Sequence, residues 1–385
     1  MRAAIALLTA LWSVFLSVVP AQAAPSLSPS PSSVSPKWDG GPIQSGDTSK
    51  QSCARVLFVG ARGSGESAPY GDTITSIRDD LAVRWQGSVR QVYLDFPAVS
   101  TSSITQKDLQ QMLLGLSPAE TSYLASAEKG VVELQKVLDD SIARCPNELV
   151  LLAGFSQGAQ VVTETLKTRP LGEKLVGALL LGNPDHYPGQ NVRELDGQID
   201  TGSMGLISTV SYLRSRATPV GSTPGPDVIP NMVSAIFDLA DGRVGNNQIA
   251  AALRSTRAVV PPTEYAHVYS ICLDSDLVCD SVPSMSRVLT GGVSVQEEFN
   301  ASRITHRGYS GEAVSATLAS LAYDLVSIRQ PASPNPSTKA PATIPFTVRT
   351  GVVFAALAGV LLFIGFALGR FTGRRRQRRG LTPKN

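Results

Sequence analysis

Apolar positions change period repeatedly between residues 55 and 328. Arg55-Val-Leu-Phe-Val-Gly60 is a short β-branched apolar run that stops at a glycine, and Val89 to Phe96 is a second, stopped by Pro97. Leu149-Val-Leu-Leu-Ala-Gly154 and Leu175 to Gly182 are nearly continuous in apolar residues, the mark of strands covered on both faces. His267 to Cys272 is a further strand candidate. Helical periodicity fills the gaps. Residues 118–143 carry a long helical pattern, with Ser117 as N-cap, Pro118 at the first helical position and Glu120 three residues after the cap. Gln157 to Lys167 is helical, and Gly311 to Ile328 is a closing helix. Strands alternating with helices predict a central parallel sheet in a three-layer α/β domain.

The two ends follow different patterns. Residues 1–23 read as a secretory signal: Arg2, an apolar run from Ala3 to about Val19, and the small-residue cleavage site Ala21-Gln22-Ala23. Residues 24–50, rich in Pro, Ser and Gly, and 330–349, rich in Pro, Ser and Ala, read as flexible linkers around a domain at 51–329. Thr350 to Gly369 holds no charge and has the length of a transmembrane helix, about 30 Å. Six arginines between Arg370 and Arg379 follow it and predict a cytoplasmic tail over 370–385. The expected topology is a single-pass plasma-membrane protein with its domain outside the cell.

That tail changes the meaning of the net charge. The chain is +3 overall. Without the eight basic residues of the signal and tail, 26 basic groups face 31 acidic ones. The basic excess is a topogenic signal, and nucleic acid is not an expected partner. Cys53, Cys145, Cys272 and Cys279 all fall in the exported part, where an even count predicts disulfides. Cys272 and Cys279 flank a short acidic loop and are paired with each other, which leaves Cys53 with Cys145. Their spacing fits no common zinc pattern, so no metal site is expected.

Gly154-Phe155-Ser156-Gln157-Gly158 is a G-x-S-x-G between a predicted strand and a predicted helix. That is the setting of a nucleophile elbow, in which a strained turn exposes the serine oxygen and the helix N-terminus faces the developing oxyanion. A serine nucleophile needs a base, and the base an orienting acid. In the α/β-hydrolase order, serine then acid then histidine, His186 comes too early and His267 sits inside a strand. His306, expected in a loop before the last helix, is the candidate base. Asp274, Asp276 and Asp280 are the candidate acids, and these residues alone do not separate them.

Here the chain resembles the cutinases and cutinase-like esterases of fungi and actinobacteria. The resemblance rests on Cys53 opening a strand that leads into Ala61-Arg-Gly-Ser-Gly-Glu66, on Gly-Phe-Ser-Gln-Gly-Ala at 154–159, on Asp276 within the second cysteine pair, and on His306 followed by Tyr309. It covers about 53–190 and 265–328. It implies a three-layer α/β-hydrolase fold with Ser156 as nucleophile, His306 as base and Asp276 as acid. It also implies an oxyanion hole from the Gln157 backbone N–H and the Ser64 backbone and hydroxyl, and the disulfides Cys53–Cys145 and Cys272–Cys279. Two stretches depart from compact members. Residues 190–262 form an insertion with helical stretches at Gly205 to Arg216 and Met232 to Arg254, the latter placing Val233, Ile236, Phe237 and Ala240 on one face. That face suits a lid, an interfacial patch for lipid, or a helical excursion packed on the domain. His306 also follows Cys279 by 27 positions, a longer interval than in compact members.

The expected protein is a monomeric, cofactor-free serine ester hydrolase acting on lipid or polymer esters at the cell surface. The same triad also suits an acyltransferase, and a non-catalytic binding module is the expectation of a different class.

Overall fold

The computed structural model describes residues 38, 40–115, 121–169, 171–196, 203–217, 226–256 and 267–328. The signal, the second linker, the apolar span at 350–369 and the basic tail lie outside the described residues. Among the described residues, no helix is long and apolar enough to cross a membrane.

The strands are β1 (Ile43–Gln44), β2 (Val56–Ala61), β3 (Val89–Tyr93), β4 (Leu149–Phe155), β5 (Leu175–Leu181) and β6 (Val268–Ile271). They form one sheet in the order β1-β3-β2-β4-β5-β6, and every pairing is parallel. β2 lies at the centre. Its Val56 and Phe58 point to one face and its Leu57 and Val59 to the other, and all four are buried. On the first face pack α1 (Gly71–Arg84), through Ile74, Ile77 and Leu81, and α10 (Ser315–Ser327), through Leu318, Leu321 and Leu325. On the second pack α3 (Ser122–Arg144), through Leu134 and Leu138, and α4 (Gln157–Thr168), through Val162 and Leu166. Each such side chain contributes about 1.5–3 kcal/mol by leaving water. Two covered faces explain why the central strands read as continuous apolar runs.

The expected elements are found, with shifted ends. α3 starts at Ser122 and is capped by Thr121, whose side chain accepts from the Leu124 N–H. The cap expected at Ser117 falls outside the described residues. The closing helix begins at Ser315. The N-terminal linker, expected to reach residue 50, is folded from residue 40: β1 pairs with β3, and a 3-10 turn follows over Ser45–Lys50.

The insertion contributes to a separate helical cluster with its own apolar core. α5 (Leu206–Ala217), α6 (Ile229–Ala240) and α7 (Asn246–Thr256) share an apolar core with α2 (Gln106–Leu114), α8 (Val282–Leu289) and α9 (Val295–His306). The stretch expected as one helix over 232–254 is two, broken where Gly242 takes φ +64°. The buried face of α6 carries Met232, Ala235 and Ile236, while Phe237 is exposed. Of the expected face, Ile236 is buried as assigned, and the buried stripe is rotated from it towards Met232 and Ala235.

Polar contacts pin the opposite end of the sheet. Arg90 and Glu148 form a buried two-point ion pair, with N–O distances of 3.0 and 2.6 Å. Glu148 also accepts from Ser141 Oγ at 2.7 Å and from the Ala54 N–H at 3.1 Å. Beside it, Cys53 and Cys145 are bonded, and Cys272 and Cys279 form the second disulfide.

His186 follows β5 and is buried, with its Nδ1 3.3 Å from Ser270 Oγ and its Nε2 3.5 Å from Glu194 Oε1. Burial pushes its pKa down to about 4, from an ordinary value near 6.5. The unfolded chain therefore takes up this proton before the folded chain does. The stability that His186 contributes is complete above pH 6.5 and lost as pH falls towards 4, by about 3 kcal/mol. Burial raises the Glu194 pKa, which acts in the opposite direction. Urea unfolding followed from pH 7 to 4 should show a shallower loss of stability in His186→Gln than in wild type.

Candidate active site

The carboxyl end of β4 is the natural place for a site in an open parallel sheet. There Phe155 leads into Ser156, whose backbone takes φ 55° and ψ −118° before α4 begins. A non-glycine residue with positive φ stores strain of about 1–3 kcal/mol. The flanking glycines make the turn feasible. A Cβ on Gly158 would lie 2.0 Å from the Ala61 carbonyl oxygen, and one on Gly154 would lie 2.4 Å from the Gly158 oxygen. α4 therefore packs its first turn directly against the end of β2. The Ser156 N–H donates to the Leu181 oxygen at 2.8 Å, which ties the turn to β5.

The strain expected at Ser156 is present, but the expected exposure of its oxygen is not. Ser156 is 1% exposed, and its Oγ has no hydrogen-bond partner. The Ser64 hydroxyl, on the loop after β2, is likewise buried without a partner. Buried unpaired hydroxyls are uncommon, and those of Ser64 and Ser156 are two of several among the described residues, with Tyr70, Thr165, Tyr187 and Thr317.

The loop carrying Ser64 is built rigidly. The Arg62 guanidinium is buried and donates to the carbonyls of Leu94, Phe96 and Glu66. The Glu66 carboxylate accepts from the Gly63 N–H at 2.7 Å and from the Asp72 and Thr73 N–H groups at the start of α1. The Gly65 N–H donates to the Ala98 oxygen at 2.7 Å. Ser64 is thus clamped between two strands and a helix N-terminus. Gln157 is held by its side chain: its Oε1 accepts from Ser126 Oγ at 3.0 Å and its Nε2 donates to the Tyr123 carbonyl at 2.9 Å. Its backbone N–H belongs to the first turn of α4, where helical N–H groups lack intrahelical partners.

His306 is the last residue of α9, not a loop residue as expected. The long interval after Cys279 is occupied by α8 and α9, so a helix end delivers the imidazole. Its Nδ1 lies 2.9 Å from both Asp276 oxygens. A carboxylate only accepts, so Nδ1 is the donor in this pair, and in the neutral imidazole Nε2 is the acceptor. Among the three candidate acids, Asp274 is exposed, Asp280 is half-buried, and Asp276 is fully buried against His306. The disulfide loop holds Asp276 in place, with the Val278 N–H donating to its Oδ1 at 3.0 Å.

Tyr309 supports the same carboxylate. Its hydroxyl donates to Asp276 Oδ2 at 2.7 Å and accepts from the Leu273 N–H at 3.1 Å. Burial, and then the adjacent Asp276 charge, pushes the phenol pKa well above its usual range, so it remains a donor. The Phe155 ring stacks on the imidazole at 4.8 Å between centroids. Gly182 lies against the Asp276–His306 pair: a Cβ there would lie 3.0 Å from His306 Cε1 and 3.1 Å from Asp276 Oδ2.

The structure thus brings Asp276 and His306 into direct contact beside the elbow, and it places Ser64 and His306 on the wall of one cleft of about 660 Å³. Ser156 and His306 form no hydrogen bond, as is frequent before substrate binds. The supports Arg62, Glu66 and Gly182 were not singled out from sequence. A buried-type charge pair around Gly-Ser-Gly, directly after an apolar strand, was the available signal for the first two.

Comparison with known proteins assigns the chain to a family. The chain matches the cutinase family model over residues 52–290. That range takes in Ser64, Ser156, Gln157, Asp276 and all four cysteines, and it ends before His306. The chain is 25% identical over 193 residues to the carboxylesterase Culp1 of Mycobacterium tuberculosis, covering 44% of this chain and 80% of that protein. It is 24% identical to a cutinase of Monilinia fructicola, covering 37% of this chain and 62% of that protein. Among solved structures, a cutinase-like protein from Cryptococcus sp. aligns with TM-score 0.40 and 16% identity, over 71% of this chain and 95% of that one. The family match spans more than half of the chain, which therefore belongs to the cutinase family and is a serine esterase.

Proposed function

We propose that the protein hydrolyses lipid or polymer esters through Ser156, His306 and Asp276, at the outer face of the membrane that its C-terminal apolar segment would span. The observation that carries this reading is the Asp276–His306 hydrogen bond beside a serine held at positive φ.

The chemistry follows from these positions. Ser156 Oγ attacks the ester carbonyl carbon while His306 Nε2 takes its proton, and Asp276 stabilises the resulting imidazolium. The negative charge moves onto the carbonyl oxygen, where the Gln157 N–H and the Ser64 N–H and hydroxyl donate to it. The intermediate collapses, His306 returns the proton to the leaving alcohol, and the acyl group remains on Ser156. Water, deprotonated by His306, then attacks the acyl carbon and releases the acid.

A fluorophosphonate should label wild type and fail to label Ser156→Ala, and p-nitrophenyl ester turnover should fall to background in that variant. Turnover that survives in Ser156→Ala overturns the reading. Ser64→Ala should lower kcat about 10²–10³-fold with little change in melting temperature, as loss of an oxyanion donor does. Tyr309→Phe removes a donor to a buried charge and should destabilise the fold by about 1.5–3 kcal/mol. It should also lower kcat more than it raises KM, because it loosens the group that orients His306.

A further inference from the structure

A polar groove of about 490 Å³ opens in the helical cluster, between α5, α6 and α7. That volume falls within the range of about 300–1,000 Å³ usual for small-molecule sites. All of its lining lies within the 190–262 insertion, and it shares no residue with the cleft that contains Ser64 and His306. Buried Tyr212 and Ala235 form its floor. One wall is α6, where Asn231, Ser234 and Asp238 recur at helical spacing as a polar stripe beside the buried Met232 and Ile236. Arg216, at the end of α5, and Gln248, in the first turn of α7, face it.

The polar groups of the groove have capacity to spare. Among the described residues, the side chains of Arg216, Asn231 and Ser234 have no hydrogen-bond or ion-pair partner. Gln248 uses only its Oε1, which accepts from the Gly245 N–H at 3.2 Å. Burial raises the Tyr212 pKa, so its phenol stays protonated and able to donate. Arg243, also on the wall, is already engaged by Asp238 at 2.8 Å and by Asp241. This set selects a chemical class. An apolar ligand would find only Ala235 and Val244 as aliphatic partners. A phosphate favours converging cations and would meet Asp238 as well as Arg216. A polyhydroxylated ligand uses amide, hydroxyl, carboxylate and guanidinium groups alike. Phe237 is a second observation in the same direction. It stands three residues after Ser234, hence beside it on the helix surface, and is 42% exposed. An aromatic face next to hydrogen-bonding groups suits the C–H face of a sugar ring, whose weakly positive hydrogens meet the negative face of the aromatic quadrupole.

We propose that this groove is a saccharide-binding site outside the catalytic cleft, with sugar hydroxyls held by Asn231, Ser234, Gln248 and Arg216 and a ring packed on Phe237. The insertion is then a module that holds the esterase on a glycan, and the glycan need not be the ester that is cleaved. The proposal does not depend on Ser156 being the nucleophile.

The test is calorimetric titration of the full chain with linear, unesterified oligosaccharides of glucose, mannose, galactose, xylose and arabinose, and with inorganic phosphate. The variants are Asn231→Ala, Gln248→Ala, Phe237→Ala and the groove-filling Ser234→Trp, with melting temperatures to report folding. At least one oligosaccharide should bind wild type with a Kd below about 10 mM. Asn231→Ala and Gln248→Ala should each weaken it about 3–10-fold, the loss of one hydrogen bond. Phe237→Ala should weaken it by a similar factor. Ser234→Trp should abolish binding, while p-nitrophenyl acetate turnover stays at the wild-type level in all four variants. If Ser234→Trp does not fold, the three alanine variants carry the same decision. Wild type that binds none of the oligosaccharides overturns the proposal. So does binding that is undiminished in the folded variants, which puts the sugar elsewhere, or phosphate that binds more tightly than every oligosaccharide, which makes the groove an anion site.

Discussion

The structure depends on one close contact, the first turn of α4 against the end of β2. Only glycine at 158 lets the helix backbone come this near to the Ala61 carbonyl, and only glycine at 154 clears the turn. That approach fixes Ser156 at positive φ and brings the α4 N-terminus next to the Ser64 loop. The loop is then stiffened from outside by Arg62 and Glu66. A strained nucleophile position is tolerated because both sheet faces bury large apolar cores beneath it. Local strain of a few kcal/mol is small against that burial.

Charge follows a similar division of labour. At one end of the sheet, Arg90 and Glu148 satisfy each other and their neighbours fully, so the pair is structural. At the other end, Asp276 is also buried and fully engaged, but one of its partners is a histidine whose second nitrogen stays available. The two buried carboxylates differ only in what they hold. Glu148 holds a permanent cation, and Asp276 holds a group able to gain and lose a proton.

Much of the sheet was legible because a strand covered on both faces announces itself as an apolar run, as β2, β4 and β5 do. The elbow was legible for the same reason, since its glycines follow β4 directly. β1 was not, because two residues carry no period and sit in a Ser- and Gly-rich stretch. α8 and α9 were missed as helices because each buries only a narrow stripe, so the segment before His306 read as loop. The break at Gly242 was available in Asp-Gly-Arg-Val-Gly and was overridden by a helical pattern that continued beyond it. Asp276 stood apart from Asp274 and Asp280 only through family resemblance, because burial within the six-residue loop between Cys272 and Cys279 leaves no mark on the sequence. The covered state of the Ser156 oxygen is a tertiary property with no local signal.

The short pairing of β1 with β3 bears on solubility. A parallel sheet that ended at β3 would present an uncovered row of backbone donors and acceptors to other chains. Residues 40–50 occupy part of that row, and Trp38 anchors the segment by donating its Nε1–H to the Trp85 carbonyl at 3.0 Å while its ring packs on Phe58. At the far edge, Arg193 pairs with Tyr269 of β6 in the same protective manner. The sheet is thus partly covered on both flanks by segments that contribute nothing to the chemistry, and a domain trimmed to its catalytic motifs would expose more of its edges to edge-to-edge self-association.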